Sequence, residues 1–307
     1  MIAVMLSLLS AAPPVRGPVR AEVDLAYASD SPRQRLDVFS PPARAGTGFP
    51  VVVFLHGGTW MGGDKNFFGI NRNGGRMLAR NGFVAVMANY RLSPEVRHPD
   101  HAKDVARAVA WVRANIARYG GDPSRLVLLG HSAGGHLAAL VASDPCYLGE
   151  ADRKAIKGVV SLSGVYRIPD PSEYARWASV ILLYWRDFSP GVMKVAGPAM
   201  SAASWALNPF WLAFGRSDAT RKAASPLTHA RKGLPPFLLL YSRHEPPGLA
   251  EMAVEFHKAL VRCGVAATAT RFDGCNHQSI IERLHREKTP VSEAVLAFLD
   301  RATRCAP

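Results

Sequence analysis

The sequence predicts an α/β fold, and three observations support this class. From residue 21 onward, short apolar runs alternate with amphipathic segments. The run at 49–55 (FPVVVFL) has no polar residues to alternate with, which is typical of a strand buried on both faces of a sheet. Strand–helix alternation over this length indicates a mostly parallel central sheet with helices on both faces.

The first half of the chain is predicted to form two antiparallel strands, here called the antiparallel lead-in, followed by the first strands and a helix of the parallel sheet. The segments AEVDLAY and QRLDVFS predict two antiparallel strands, and buried strands follow at 49–55 and 82–90. In 102–120, apolar residues recur every three or four positions and Gly120 ends the pattern. That spacing predicts an amphipathic helix with a glycine C-cap.

The second half repeats the alternation. RLVLLG predicts a strand, SAGGHLAALVAS a helix and KGVVSLSG a strand; after an irregular region, PPFLLLYS and AATATRF predict the last two strands. Helices are expected between these two strands at 248–263 and after them at 279–302, the second as one closing helix.

Two regions fit the alternation poorly. Residues 1–20 begin with an apolar stretch of signal-peptide length but lack a positive n-region, so an exported or a cytoplasmic protein with a disordered start remain alternatives. Residues 170–222 hold four of the six tryptophans, and 195–214 has no charged residue. We predict an α/β core at 21–169 and 223–307 and an apolar cap at 170–222, with an aromatic satellite core as the alternative for 170–222.

Composition argues against several classes of protein. The net charge is +13, but the basic residues are scattered, so no nucleic-acid partner is expected. The four cysteines show no metal-ligand spacing, and free thiols are predicted.

A membrane span within 195–214 would place Ser132 on one side of the bilayer and Glu245 and His277 on the other, so these candidate site residues could not meet. The cap is therefore predicted at most to contact a membrane interface weakly, and the oligomeric state stays open.

The strongest motif is GHSAG, in which glycines flank Ser132 at a distance of two residues. It falls between a predicted strand and the helix beginning at Ala133, where a nucleophile elbow is expected. Such a tight turn exposes the serine hydroxyl, and the helix N-terminus beneath it supplies partial positive charge. The structural alternative is a glycine-rich turn with a helix-capping serine.

A second glycine motif, HGGTW, follows the strand at 49–55. Glycines here let backbone N–H groups face a cavity, so Gly57, Gly58 and Ala133 are candidate oxyanion-hole donors. The residues beside the two motifs, Trp60 and His131, are predicted to contact a substrate.

Several motifs together resemble a known family. HGGTWMGGDK, NYRLSPE, YGGDPSRLVLLGHSAGGHLAAL and GCNHQSI are similar to the bacterial esterase and arylformamidase branch of the α/β-hydrolases, related to the hormone-sensitive-lipase group. The resemblance covers roughly residues 30–166 and 223–300. It implies an α/β-hydrolase fold and carboxylic-ester hydrolysis by a serine triad without a cofactor or a metal ion. Thr59 departs from the third glycine common in the lipase group.

Chain order assigns the base. The base follows the acid in this fold, and His277 comes just after the last predicted strand, where the family motif also has it. His257 and His285 fall within helical patterns and are expected at the surface. His136, four residues after the serine, is expected to pack or cap.

Two carboxylates compete for the role of the acid. Glu245 follows the penultimate strand, where the acid is expected, and Asp273 lies at the end of the last strand, four residues before His277. We favour Glu245 on strand-end placement.

These residues predict a carboxylesterase acting on small-molecule esters of small to medium acyl chain through an acyl-enzyme. An arylformamidase-type amidase and a non-catalytic binding module built on the same fold are the alternatives.

Overall fold

A single sheet organises the part of the chain that the computed structural model describes, residues 17–42, 48–67, 69–170, 173 and 209–304. Its strands, in chain order, are β1 (Arg20–Ala26), β2 (Arg35–Ser40), β3 (Phe49–Leu55), β4 (Val84–Ala88), β5 (Gly121–His131), β6 (Ile156–Leu162), β7 (Phe237–His244) and β8 (Ala267–Asn276). Their order across the sheet is β1-β2-β4-β3-β5-β6-β7-β8. Strands β3 to β8 pair in parallel, and β2 runs antiparallel to both of its neighbours. The predicted fold class and the antiparallel lead-in are confirmed.

Helices cover both faces of the sheet. In chain order they are α1 (Ile70–Arg80), α2 (Asp100–Asn115), α3 (Ala133–Ser143), α4 (Glu150–Ala155), α5 (Pro209–Phe214), α6 (Asp218–Ala223), α7 (Leu249–Arg262), α8 (Ser279–Leu284) and α9 (Pro290–Thr303). A 3₁₀ turn, Ile116–Tyr119, extends α2 and ends at Gly120, which has a left-handed backbone with φ 81°. That is the glycine stop expected from the sequence.

The core consists of two layers, one on each side of the sheet. Along β3, Val51 and Val53 point into the layer that contains α2, α3 and α7, and Val52 and Phe54 point into the layer that contains α1, α8 and α9. Because successive strand residues face opposite sides, an unbroken apolar strand is the sequence that two covered faces require.

The closing segment differs from its prediction as one helix. It forms two helices, α8 and α9, which are separated around Lys288 with a positive φ of 61°. Thr289 caps α9 by accepting the backbone N–H of Ser292, and Pro290 stands in the first turn. Proline has no N–H to donate to the preceding turn, so a new helix begins there.

Helix α1 was not among the predicted elements. Its sequence, INRNGGRMLAR, contains two adjacent glycines and two asparagines, which have low helix propensity. Gly74 and Gly75 are buried, and a β-carbon on Gly75 would come within 2.5 Å of the ring of Phe39. Close packing on the sheet therefore selects residues that weaken the helical signal in the sequence.

Most of the predicted cap, 170–222, and most of the predicted N-terminal segment, 1–20, lie outside the described residues. The described end of the cap forms α5 and α6, and Phe210 and Phe214 of α5 are buried in the layer that contains α3. In the ranges that the structure describes, no helix is long and apolar enough to cross a membrane.

Candidate active site

The carboxyl ends of three neighbouring strands form the floor of the candidate site. Ser132 follows β5, Ser163 follows β6, and Glu245 follows β7. The backbone N–H of Ser132 donates to Leu162 O at 2.8 Å, and that of Ser163 donates to Leu240 O at 2.7 Å. These two bonds continue the parallel pairing past the strand ends, so residues far apart in the chain meet at one edge of the sheet.

Ser132 occupies a strained turn between β5 and α3. Its φ of 54° and ψ of −117° lie outside the regions that side-chain-bearing residues normally adopt. A β-carbon on Gly130 would lie 2.2 Å from Gly134 O, and one on Gly134 would lie 2.1 Å from Leu55 O. Neither approach leaves room for a side chain, which explains the glycine two positions on each side of the serine.

The serine, the late histidine and the glutamate are joined by hydrogen bonds. His277 Nε2 lies 3.0 Å from Ser132 Oγ, and His277 Nδ1 lies 2.6 Å from Glu245 Oε2. The Glu245 side chain is 2% exposed and that of His277 is 11% exposed. With the Nδ1 proton donated to the carboxylate, Nε2 is left as the acceptor for the serine hydroxyl.

Glu245 is held in its ionised form. Burial by itself would raise its pKa, but the neighbouring His277 and hydrogen bonds from His277, Ser163 and the backbone N–H of Ser242 outweigh burial and lower the pKa to about 2. A carboxylate that stays charged at neutral pH can orient an imidazole and stabilise its protonated form.

Asp273 takes no part in this arrangement. Its carboxylate accepts a hydrogen bond from Arg271 Nε at 2.8 Å, and both side chains are more than half exposed. The structure thus brings Glu245, and not Asp273, to the ring of His277.

The prediction that His285 lies at the surface is wrong. The ring of His285, which was expected at the surface, packs edge-on against Phe54 with ring centroids 5.8 Å apart. It also fills the space beside Gly74, where a β-carbon would lie 2.3 Å from the ring. Burial lowers the pKa of His285 to about 4. The backbone of His285 is still helical, with φ −78° and ψ −3°, and Ile281 one turn earlier is buried, so the ring continues the buried face of α8.

The glycine loop after β3 lies against the serine. A β-carbon on Gly57 would come within 3.2 Å of Ser132 Cβ, so the backbone of Gly57 passes directly beside the nucleophile candidate. Gly58, Thr59 and Trp60 all have positive φ, at 124°, 54° and 60°. On the other side, Ala133 is the first residue of α3, where backbone N–H groups have no acceptor within the helix. Gly57 and Ala133 therefore lie next to Ser132, and the role of Gly57, Gly58 and Ala133 as oxyanion-hole donors stays a prediction.

Trp60 and His131 are both buried beside the site. The indole N–H of Trp60 donates to His136 Nδ1 at 3.1 Å, and its ring packs on Phe210 and Phe214. His131 Nε2 donates to the carbonyl of His277 at 2.8 Å. Burial, reinforced by the nearby His277, lowers the pKa of His131 to about 3. These contacts support the loops of the site, and a substrate contact by either residue stays a prediction.

His136 packs, as expected from its position on α3. It is fully buried, and its Nε2 donates to Ala224 O at 2.7 Å while Nδ1 accepts from Trp60. Within the described ranges, no group of three or more His, Cys, Asp or Glu residues is arranged to hold a metal ion.

Two residues near the acid were missed by the sequence analysis. Ser163 and Ser242 both donate their hydroxyls to Glu245 Oε1, at 2.5 and 2.9 Å. The available signal was the position of Ser163 directly after the strand between the nucleophile and the acid strands. As long as the strand order is unknown, the sequence does not distinguish this serine from an ordinary turn residue.

The sheet order, the elbow and the placement of the acid and base candidates after β7 and β8 define the class of fold: the chain has the α/β-hydrolase fold. Residues 36–166 match the BD-FAE family model.

Curated relatives agree with this placement. The chain is 30% identical over 288 residues to Esterase LipC of Mycobacterium tuberculosis, covering 90% of this chain and 64% of that protein. It is 34% identical over 232 residues to the probable carboxylic ester hydrolase LipM of the same organism, covering 72% of this chain and 47% of the relative. The chain thus spans about half to two thirds of the length of these relatives.

Solved structures share the fold. A carbohydrate esterase from gut microbiota superposes with a TM-score of 0.70 at 19% identity, covering 92% of this chain and 96% of that one. Esterase B of Lactobacillus rhamnosis, solved with a tributyrin phosphonate inhibitor, superposes with a TM-score of 0.68 at 22% identity, covering 95% and 88%.

Proposed function

We propose that the protein is a serine hydrolase that cleaves carboxylic esters of small to medium acyl chain. The observation that carries the proposal is the pair of contacts from His277, 3.0 Å to Ser132 Oγ and 2.6 Å to Glu245 Oε2. The relatives LipC and LipM are named an esterase and a probable carboxylic ester hydrolase, which supports the same reaction.

The contacts support a two-step mechanism. Ser132 Oγ attacks the ester carbonyl carbon while His277 Nε2 takes its proton, and Glu245 stabilises the imidazolium that forms. The protonated His277 then gives this proton to the departing alkoxide, which leaves as the alcohol. Ser132 is left esterified to the acyl group.

The second step returns the enzyme to its starting state. Water loses a proton to His277 and attacks the acyl carbon, and the acid is released as Ser132 regains its proton. In both steps negative charge develops on the carbonyl oxygen. In this proposal the backbone N–H groups of Gly57 or Gly58 and of Ala133 receive this charge, which the approach of Gly57 to Ser132 supports, and one such donor is typically worth about 3 kcal/mol.

We further propose that 170–222 acts as a cap that selects the acyl chain. Its support is the contact of Phe210 and Phe214 with Trp60, which brings the end of this region beside the glycine loop. Replacing 174–208 by a short glycine–serine linker is expected to change the acyl-chain preference. An unchanged preference in a folded product would contradict the cap.

The reaction is tested with a panel of aryl esters from acetate to octanoate, using the full chain and the variant S132A. Hydrolysis that disappears in S132A, together with covalent labelling of Ser132 by an organophosphonate, is the expected result. Hydrolysis that persists in S132A would contradict the proposal, and absence of labelling would favour a binding module. An N-formyl aryl amide in the same panel separates an amidase from an esterase.

A further inference from the structure

Strand β6 lies between the strand of the nucleophile and the strand of the acid. The residue that follows it, Ser163, is 2% exposed and has a positive φ of 50°. A buried serine in the left-handed region costs on the order of 1 kcal/mol or more, so a glycine would be the easier residue at this position.

The side chain of Ser163 points at the acid. Its hydroxyl donates to Glu245 Oε1 at 2.5 Å, across a separation of 82 residues in the chain. Its backbone N–H is bonded to Leu240 O at 2.7 Å, which fixes the serine between the ends of β6 and β7.

Ser242 approaches the same oxygen from the acid's own strand. Both its backbone N–H, at 2.8 Å, and its hydroxyl, at 2.9 Å, donate to Glu245 Oε1. Ser242 is fully buried. Three donors therefore converge on Oε1, and Oε2 faces His277 Nδ1.

Because the serine donors bind Oε1 and His277 faces Oε2, the orientation of the Glu245 carboxylate is fixed. A glutamate side chain has three rotatable bonds, and an unanchored carboxylate loses conformational entropy each time it is aligned with an imidazole. Donors on one oxygen fix the plane and the direction of the carboxylate, so the second oxygen is aligned before the reaction begins.

We propose that the hydroxyls of Ser163 and Ser242 are positioning groups that hold Glu245 with Oε2 aimed at His277. The inference rests on the proposed function, because it assigns these serines to the same site. Neither hydroxyl contacts the reacting atoms; both act through the carboxylate.

The first test compares S163A and S163G with the wild type. Both substitutions remove the hydroxyl, and each is expected to lower kcat for an activated aryl ester roughly 10-fold with KM within about twofold, the size expected for a hydrogen bond to a charged group. S163G also relieves the positive φ, so it is expected to unfold at higher urea than S163A. Full activity in S163G would show that only the backbone matters and would overturn the proposal.

S242A is the second variant. It keeps the backbone N–H on Oε1 and removes only the hydroxyl, so a smaller loss of kcat, roughly threefold, is expected. The matched control is S161A, which removes a buried serine hydroxyl from the same strand, β6. Ser161 Oγ accepts the hydroxyl of Tyr166 at 2.8 Å, so this variant is expected to keep the wild-type kcat while losing stability.

The decisive measurement repeats S163A in an E245A background. If Ser163 acts through Glu245, the loss caused by S163A shrinks to less than about twofold once the carboxylate is gone. An equal, roughly 10-fold loss in both backgrounds would overturn the proposal. If S132A remains as active as the wild type, the proposed function fails; if S132A is inactive but S163A, S163G and S242A keep the wild-type kcat, only the positioning role fails.

Discussion

Glu245 directly follows β7, whereas Asp273 lies within the neighbouring parallel strand β8, and the surroundings of the two carboxylates are opposite. The side chain of Glu245 is 2% exposed and accepts hydrogen bonds on both oxygens, whereas that of Asp273 is 59% exposed and pairs with Arg271. Asp273 is the nearer to His277 in the chain, by four residues against 32. The comparison teaches that a position just past the carboxyl end of a strand, and not a short distance along the chain, selects the carboxylate that reaches the imidazole.

The largest expected difference between the two carboxylates is in turnover. E245Q is expected to lower kcat by roughly 10⁴-fold, because an amide does not stabilise the imidazolium and can hold the wrong tautomer. D273N is the matched control and is expected to stay within about twofold of the wild type. Ester hydrolysis rates at saturating substrate measure both, and a reversed order of effects would contradict the assignment of the acid.

The length of the Glu245 side chain is expected to affect turnover as well as its charge. E245D keeps the charge but shortens the side chain by one methylene, which draws the carboxylate away from His277 or from the donors of Ser163 and Ser242. A misplacement of about 1 Å can cost roughly 10²-fold in rate, and a loss of that order in kcat is expected. Wild-type turnover in E245D would show that the position of the carboxylate is not critical.

Acid stability separates the buried carboxylate from the exposed one. The pKa of Glu245 is about 2 in the folded protein against a usual value of 4.5, so its contribution to stability is present above about pH 4.5 and is lost as the pH falls toward 2. Between pH 7 and pH 3 the wild type is expected to lose about 2 kcal/mol more free energy of unfolding than E245Q.

Urea unfolding at both pH values measures this difference. Buried histidines such as His136, whose pKa burial lowers to about 3, also lower stability as the pH falls, but they do so in both proteins and cancel in the comparison. D273N is the control and is expected to follow the wild type. Identical pH dependence of the wild type and E245Q would contradict the lowered pKa.

The smallest effect is expected from the exposed pair. R271Q removes the partner of Asp273, and because both side chains are more than half exposed, the free energy of unfolding is expected to change by less than about 0.5 kcal/mol. Urea unfolding at pH 7 checks this, and a change above 1 kcal/mol would give the exposed pair a structural role that its solvation argues against.

Much of the architecture could be predicted from local signals. The unbroken apolar run of β3 and the glycines around Ser132 each have one simple explanation, two covered faces in the first case and a turn too tight for side chains in the second. Local sequence signals did not predict helix α1 or the break between α8 and α9. In α1, close packing selects glycines that weaken the helical pattern, and at the break a capping box restarts a pattern that looks continuous.

The sequence by itself determined the fold class, the serine turn, the glycine loop and the candidate base, since each depends on residues that are neighbours in the chain. Only the tertiary structure decided which carboxylate meets His277, that Ser163 and Ser242 hold it, and that His285 is buried. The reason is physical: the contacts of Glu245 join strand ends that are separated by up to 82 residues, and the order of strands in the sheet is set by the packing of the whole chain.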